Sequence, residues 1–340
     1  MNGSKTVSLK SEFGYLTIYT VITKEMREEN MSKRLDRRTF LKNSLVAAAG
    51  LGFATTTKND LFAKTAAWIS DPINNPMPKR PLGNTGFDVG IYSLGGQGAL
   101  EIPGTFDKSV AIINRALDLG VNYIDTAAYY GSGSSETYIG EVMKTRRDEV
   151  FLATKSHDYT YDGTMRLFEE SLRRLNTDHV DLYQHHYMMQ ERYDRLVQKN
   201  SARQAFEKLK EEGVVRFIGV TSHSSRILSE AIEGYPYDCA LIPLNASGSI
   251  LQDEQNLDRF FRLTSDRNMG VIGMKVFGGG GLVGRGLTPK QLLYYTMSQP
   301  VSTTIVGISR MEHLEENIRN AKEFKPLTEE EIMELRAGIQ

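Results

Sequence analysis

From residue 77 onward the chain alternates between two hydrophobic rhythms. Short runs of apolar and β-branched residues are followed by stretches whose apolar residues recur every three or four positions. The short runs predict strands at 89–94, 123–127, 150–156, 180–186, 215–221, 240–245, 270–277 and 303–307. The longer stretches predict helices at 109–119, 136–146, 164–175, 201–212, 226–233, 256–267, 289–297 and 311–324. In 109–119, Ile112, Ile113, Ala116 and Leu117 share one side, and Gly120 stands where a helix stop belongs. Ahead of the first strand, 80–89 reads as a small hairpin turning at 84–86. Alternation of this kind suits a parallel sheet, wound either as an open sheet or as a barrel. Eight strand–helix units over about 250 residues select the (β/α)8 TIM barrel, an α/β fold, over residues 77–340.

Upstream of 77 that rhythm is missing. Residues 36–42 read Asp-Arg-Arg-Thr-Phe-Leu-Lys, a twin-arginine motif, and a weakly apolar run follows at 44–55. The run is too short to span a membrane, which takes about 20 apolar residues. A basic stretch, a short apolar stretch and small residues, in that order, predict a signal peptide over 31–67. The paired arginines assign it to the twin-arginine (Tat) route, with cleavage expected between 55 and 67. The expected partner there is the Tat translocon, and the expected location is the periplasm of a Gram-negative cell. No stable membrane anchor is expected after processing. A leader begins just before its basic region, as Met31-Ser-Lys-Arg does, so 1–30 is read as a gene-model extension or else a long n-region. Residues 68–76, with Trp68, Pro72 and Pro76, read as a linker.

Composition narrows the function classes. The 340 residues carry a net charge of −1, with no dense run of Lys and Arg beyond the N-terminus, which argues against a nucleic-acid partner. The single cysteine, Cys239, excludes an intrachain disulfide and a cysteine-based zinc or iron–sulfur site, and no metal is expected.

In a barrel the chemistry sits at the C-terminal ends of the strands. Within 119–136, LGVNYIDTAAYYGSGSSE, the residues Tyr123, Asp125 and Ala127 share one strand face, and Ile124 and Thr126 the other. A lone buried carboxylate is expensive, so Asp125 requires a partner. Tyr130 follows at the mouth of a Gly/Ser loop. Lys155 closes Phe-Leu-Ala-Thr-Lys, and His186 closes Asp-Leu-Tyr-Gln-His-His. Alternation sends one of His185 and His186 inward and the other toward the helices. Singly these residues have ordinary explanations: a cap, a loop aromatic, a solvated strand end, a structural imidazole. Their coincidence at strand ends makes Asp125, Tyr130, Lys155 and His186 the candidate catalytic set. None of these positions carries a Ser or Cys nucleophile, which argues against acyl transfer.

On these residues the sequence resembles the aldo-keto reductase family, from about 77 to 335. The motifs are Gly120-Val-Asn-Tyr-Ile-Asp-Thr-Ala with Tyr130-Gly and Ser135-Glu, Ala153-Thr-Lys155, Asp181-Leu-Tyr-Gln-His-His186, Ile218-Gly-Val-Thr, and Leu314-Glu-Glu-Asn317. The hairpin resembles the family's N-terminal β-hairpin plug. The resemblance implies hydride transfer between a nicotinamide cofactor and a small-molecule carbonyl or alcohol substrate. Tyr130 would be the proton donor. Free tyrosine has a pKa of about 10, and Lys155 is expected to ease its proton loss. Asp125 would hold Lys155 and balance its charge, and His186 would orient the carbonyl oxygen.

The resemblance also implies cofactor contacts. Thr221 and Ser222 stand where the family has Ser-Asn to hold the carboxamide, and Leu241 stands where it has a glutamine, whose task leucine cannot perform. Met274 replaces a stacking tyrosine, and a thioether can still pack on an aromatic face. Lys275, Phe277, Gly278 and Gly280 belong to a loop whose N–H groups would approach the pyrophosphate. Ser309, Arg310, Glu316 and Asn317 follow the last strand. Arg310 suits a 2′-phosphate, so NADP(H) is expected. NAD(H) is the alternative, because Gly307 and His313 stand at basic positions of the family. Gly279-x-Gly281-x-x-Gly284 fits the Rossmann spacing, but no acidic residue lies about 20 residues on, so it is read as coincidence. The rival readings are a Schiff-base aldolase built on Lys155 and a non-catalytic nicotinamide-cofactor-binding subunit, a type the family includes. Loops 97–106 and 186–199 are expected to shape the substrate pocket, and export points to a carbohydrate-derived substrate.

Overall fold

The computed structural model describes residues 71–339. The twin-arginine motif and segments 1–30 and 31–67 lie outside the described residues. Strands β1 (Lys79–Pro81) and β2 (Asp88–Gly90) pair antiparallel, with Arg80 opposite Val89. The barrel strands follow: β3 (Tyr92–Gly95), β4 (Tyr123–Asp125), β5 (Phe151–Ser156), β6 (Val180–His185), β7 (Val215–Thr221), β8 (Cys239–Pro243), β9 (Gly270–Met274) and β10 (Thr303–Gly307). They close as a parallel barrel in chain order, with β10 pairing β3. This is the (β/α)8 barrel that the alternation predicted.

Strand alternation divides the apolar residues into two cores. Tyr123, Phe151, Ala153, Leu182, Leu241, Ile272 and Ile305 fill the barrel interior. Leu82 and Val89 join them, and Phe87 packs alongside. The hairpin therefore plugs one end of the barrel, and that end holds the strand starts: a side chain on Gly83 would strike Met269 and Gly270 at the beginning of β9. Ile124, Leu152, Tyr183, Val220 and Ile242 point outward and build the second core with the helices. Helix α1 (Phe106–Asp118) buries Ile112, Ile113, Ala116 and Leu117, and Gly120 behind it takes φ +96°, a left-handed geometry that glycine adopts without strain.

The helices continue as α2 (Ser134–Arg146), α3 (Tyr161–Leu175), α4 (Gln190–Leu196), α5 (Ala202–Glu211), α6 (Ser225–Gly234), α7 (Leu257–Asp266), α8 (Pro289–Met297), α9 (Met311–Lys322) and α10 (Glu329–Ala337). Two of them, α4 and α10, lie where the hydrophobic pattern predicts no helix. Helix α4 is too short to show a clear period. Helix α10 does carry a signal, the capping box formed by Thr328 and Glu331. Strand boundaries also moved. Val89 belongs to the hairpin, and β9 stops at Met274 because Lys275 turns to φ +61°. Residues 71–76 are docked, which a linker would not be. Asp71 caps a 3₁₀ turn (Pro72–Asn74) and pairs with Arg319 at 2.9 Å, Ile73 is buried, and Lys322 donates to the Ile73 carbonyl at 2.6 Å. Among the described residues no helix is long and apolar enough to cross a membrane.

Candidate active site

The candidate catalytic residues meet at the C-terminal mouth of the barrel. Asp125 ends β4 on its inward face, and Lys155 reaches across from the inward face of β5. The Lys155 ammonium has three donors and all are placed. One goes to Asp125 Oδ1, one to the Thr126 carbonyl at 2.8 Å, and one to Tyr130 Oη at 3.4 Å. The ion pair is sealed, each side chain being 1% exposed. The other carboxylate oxygen of Asp125 accepts from Gln184 Nε2 at 3.0 Å and from the Tyr123 hydroxyl at 3.4 Å. Neither residue is among the predicted site residues, although Tyr123 shares the Asp125 strand face by alternation. Gln184 shares the parity of Leu182, which fills the barrel, and that alone points it inward.

Electrostatics follow from this burial. Burial opposes the Lys155 charge, yet Asp125 and Tyr130 outweigh it and hold the ammonium above its ordinary range. Tyr130 is set by opposed effects. Burial pushes its hydroxyl up; the opposing pull of Lys155 is present, but it is offset further by the Asp125 charge. The phenol therefore keeps its proton. Because an ammonium accepts no hydrogen bond, that proton is free to point away from Lys155.

The two histidines divide as alternation requires. His185 turns outward, stacked on Phe206 with ring centroids 3.9 Å apart, and burial drives its imidazole down to about 3. His186 sits past the end of β6 with its ring edge-on to Tyr130, 5.5 Å between centroids. Burial first, then the Lys155 charge, pushes it well below the usual histidine range, so the ring is neutral at pH 7.

Beside this cluster runs a cleft of about 630 Å³, inside the usual size of ligand sites. Asp125 and Tyr130 line one end. Met274, Lys275, Phe277, Gly279, Gly280 and Val283 form one wall, and Gly95 to Glu101 with Gly307 the other. Ser309, His313, Glu316 and Asn317 close the far end. In the turn at Gly278–Gly280 all three glycines have positive φ, and a side chain on Gly279 or Gly280 would meet nothing within 4 Å, so the backbone there is open to a ligand. Helix α9 starts at the far end without a side-chain cap, which leaves its first N–H groups for an anion. Lys275 donates to Gln97 Oε1 at 2.7 Å and so ties the two walls together.

Several predicted cofactor contacts lie elsewhere. Gly278 is in the turn but not on the lining. Arg310 is 64% exposed and off the lining, 3.8 Å from Glu312. Thr221 and Ser222 are buried and bonded to the backbone of the loop after β6: Thr221 Oγ1 accepts from Tyr187 N at 2.8 Å, and Ser222 Oγ donates to the Met188 carbonyl at 2.6 Å. Residue type and position match a carboxamide site, but a neighbouring loop takes the Ser222 proton and the acceptor side of the Thr221 hydroxyl.

Comparison with known proteins agrees with this geometry. Residues 89–294 match the model of the Aldo/keto reductase family. The chain is 27% identical to an uncharacterized oxidoreductase, YqkF, of Bacillus subtilis, over 77% of this chain and 96% of that one. It is also 27% identical to an L-galactose dehydrogenase of Arabidopsis thaliana, over 77% and 94%. A solved aldo-keto reductase of Bacillus halodurans in its holo form superposes with a TM-score of 0.65 at 25% identity, covering 78% of this chain and 97% of that one. Barrel, mouth and family match converge: the chain belongs to the aldo/keto reductase family of oxidoreductases.

Proposed function

We propose that this protein reduces an aldehyde or ketone, or oxidises the corresponding alcohol, with NADP(H) and with Tyr130 as general acid and base. The observation that carries the reading is the Lys155 ammonium, held by Asp125 and placed on the Tyr130 hydroxyl at the end of the glycine-lined cleft. When bound, the cofactor supplies or takes a hydride at the substrate carbon. Tyr130, which keeps its proton, gives it to the carbonyl oxygen in reduction. Lys155 stabilises the resulting phenolate at contact distance. Asp125, fixed by Gln184 and Tyr123, keeps Lys155 in place. His186 is neutral and so has one N–H, which orients the carbonyl oxygen beside Tyr130.

The cleft fits a dinucleotide at its phosphate and adenosine end. The turn at Gly278–Gly280 with Phe277, and the uncapped start of α9 with Ser309, Glu316 and Asn317, would hold it there, and Arg310 is exposed and free to swing toward a 2′-phosphate, which favours NADP(H) over NAD(H). Met274 offers a thioether face to a ring, while Leu241 offers the carboxamide nothing. The aldolase reading fares worse, because a Lys155 that stays protonated with all donors engaged is no nucleophile. The assembly of all four groups at one mouth speaks for turnover over mere cofactor binding. Similarity to an L-galactose dehydrogenase supports a carbohydrate-derived substrate. The twin-arginine motif at 36–42 supports export through the Tat translocon to the periplasm, with cleavage ahead of the barrel. The test is an NADPH-oxidation assay over a panel of aldehydes, ketones and sugars. Tyr130→Phe should abolish reduction and leave NADPH binding within about threefold. A Tyr130→Phe enzyme with wild-type rates would sink the assignment.

A further inference from the structure

The turn that carries His186 is held more tightly than a surface loop requires. Every backbone N–H and C=O of His186, Tyr187 and Met188 is bonded, and the partners come from several elements. His186 N donates to the Ser156 carbonyl at 2.8 Å, and the His186 carbonyl accepts from the Tyr159 hydroxyl at 2.5 Å. Tyr187 N donates to Thr221 Oγ1 at 2.8 Å, and the Tyr187 carbonyl accepts from Arg192 Nη1 at 2.8 Å. Met188 N donates to the Thr221 carbonyl at 2.6 Å, and the Met188 carbonyl accepts from Ser222 Oγ at 2.6 Å. The Arg192 guanidinium also lies over the rings of Tyr159 and Tyr187, 5.6 and 5.5 Å from their centroids.

What these bonds maintain is an unfavourable backbone. Tyr187 sits at φ +54°. A non-glycine residue in the left-handed region is strained and persists only where its surroundings over-determine it. Relaxing Tyr187 would swing its neighbour His186 off the edge of Tyr130 and move Tyr187 itself off His223, whose ring is 4.6 Å away. Ser222 has no hydrogen left for a ligand, since its one proton goes to Met188, and it accepts from Ser224 N at 3.0 Å.

We propose that Thr221, Tyr159, Arg192 and Ser222 are positioning residues for His186: they clamp the 186–188 turn so that the imidazole meets the reacting carbonyl beside Tyr130. The proposal rests on the carbonyl-reductase reading above. It withdraws Ser222 from cofactor contact, its one proton being spent on the Met188 carbonyl, and gives Thr221 Oγ1 a role in substrate geometry as the acceptor for Tyr187 N.

The test uses Thr221→Val, which keeps the side chain's shape and removes the acceptor, Thr221→Ser, which keeps it, and Tyr159→Phe, which removes one hydroxyl. Misplacement of a catalytic group by about 1 Å costs up to about a hundredfold. Thr221→Val and Tyr159→Phe should each lower kcat about ten- to a hundredfold and leave the NADPH Kd within about twofold, and Thr221→Ser should restore most of kcat. In a His186→Ala background Thr221→Val should have no further effect on kcat, because the clamp acts only through that ring. Full additivity in this cycle, or an NADPH Kd that rises while kcat holds, would overturn the proposal. A ring-resonance measurement separates it from the parent reading. If wild-type protein reduces no carbonyl, the reductase reading fails. The clamp is then judged by whether Thr221→Val and Tyr159→Phe shift the His186 ring resonance, identified by its loss in His186→Ala, while the distant, partly exposed His179 stays still. An unmoved His186 resonance refutes it.

Discussion

Lys155→Met isolates the buried ion pair beneath Tyr130. The substitution keeps an unbranched side chain of similar volume, so it opens little cavity. What it removes is the cation. Asp125 then stays sealed inside the barrel with two neutral donors, Gln184 Nε2 at 3.0 Å and the Tyr123 hydroxyl at 3.4 Å. Breaking a buried pair by deleting one partner costs about 3–5 kcal/mol. The two remaining donors place this case near the lower end, at about 3 kcal/mol. For a domain of this size each kcal/mol lowers Tm by about 2–4 °C, so the expected drop is about 6–12 °C. Urea denaturation and a thermal melt of the purified chain at pH 7 read it directly. A second substitution, Asp125→Asn, in the same chain removes the stranded charge and should recover most of the loss, so the double variant should be more stable than Lys155→Met alone. Turnover should be as low as in Tyr130→Phe throughout, because stability and chemistry separate at this point. A Lys155→Met protein that melts within about 2 °C of wild type, or a double variant no better than the single, would show that the pair is solvated or does not form.

Three further outcomes are expected. Arg310→Ala should weaken NADPH about tenfold and leave NADH unchanged, since only the 2′-phosphate gives the guanidinium a charged partner; equal losses for both cofactors would refute NADP(H) preference. Acid should destabilise the fold through His185, whose buried imidazole is driven down to about 3. A folded value below the unfolded one, about 6.5, means that stability is full above that value and is lost as pH falls toward the folded one. His185 contributes a loss of about 1.4 kcal/mol per pH unit, or about 2 kcal/mol at pH 5, and His186 and His223, also pushed down by burial, add losses of the same sign. His185→Phe should therefore shrink the fall in stability between pH 7 and 5 in urea titrations by about 2 kcal/mol without abolishing it, and an unchanged fall would refute it. Finally, free dinucleotide is scarce outside the cytoplasm, and the Tat route carries folded proteins. Enzyme purified from the periplasm and then denatured should therefore release stoichiometric dinucleotide, and an empty protein would exclude export in the loaded form.

The sequence by itself determined the barrel and the identity of its catalytic candidates. Periods of two and 3.6 are local properties of the chain, and eight strand–helix units leave one closed parallel architecture of this length. The same parity set Asp125 on one strand face with Tyr123 and Ala127, and it required that the two adjacent histidines part company. Burial of a carboxylate demanded a partner, and the family resemblance implied that Lys155 is that partner. Only the tertiary structure decided how these groups are tuned and supported. Lys155 does ease proton loss from Tyr130, as expected, but depth of burial is a property of the assembled mouth, and it outweighs that pull. Gln184 became a support for Asp125 because β4 and β6 flank β5 in the closed barrel. The 71–76 segment looked like a linker because its partners, Arg319 and Lys322, are about 250 residues away. Thr221 and Ser222 show the same limit most clearly. Their hydroxyls match a cofactor site by type and position, yet a hydroxyl serves whichever polar atom folding brings within about 3 Å, and here that atom is the backbone beside His186.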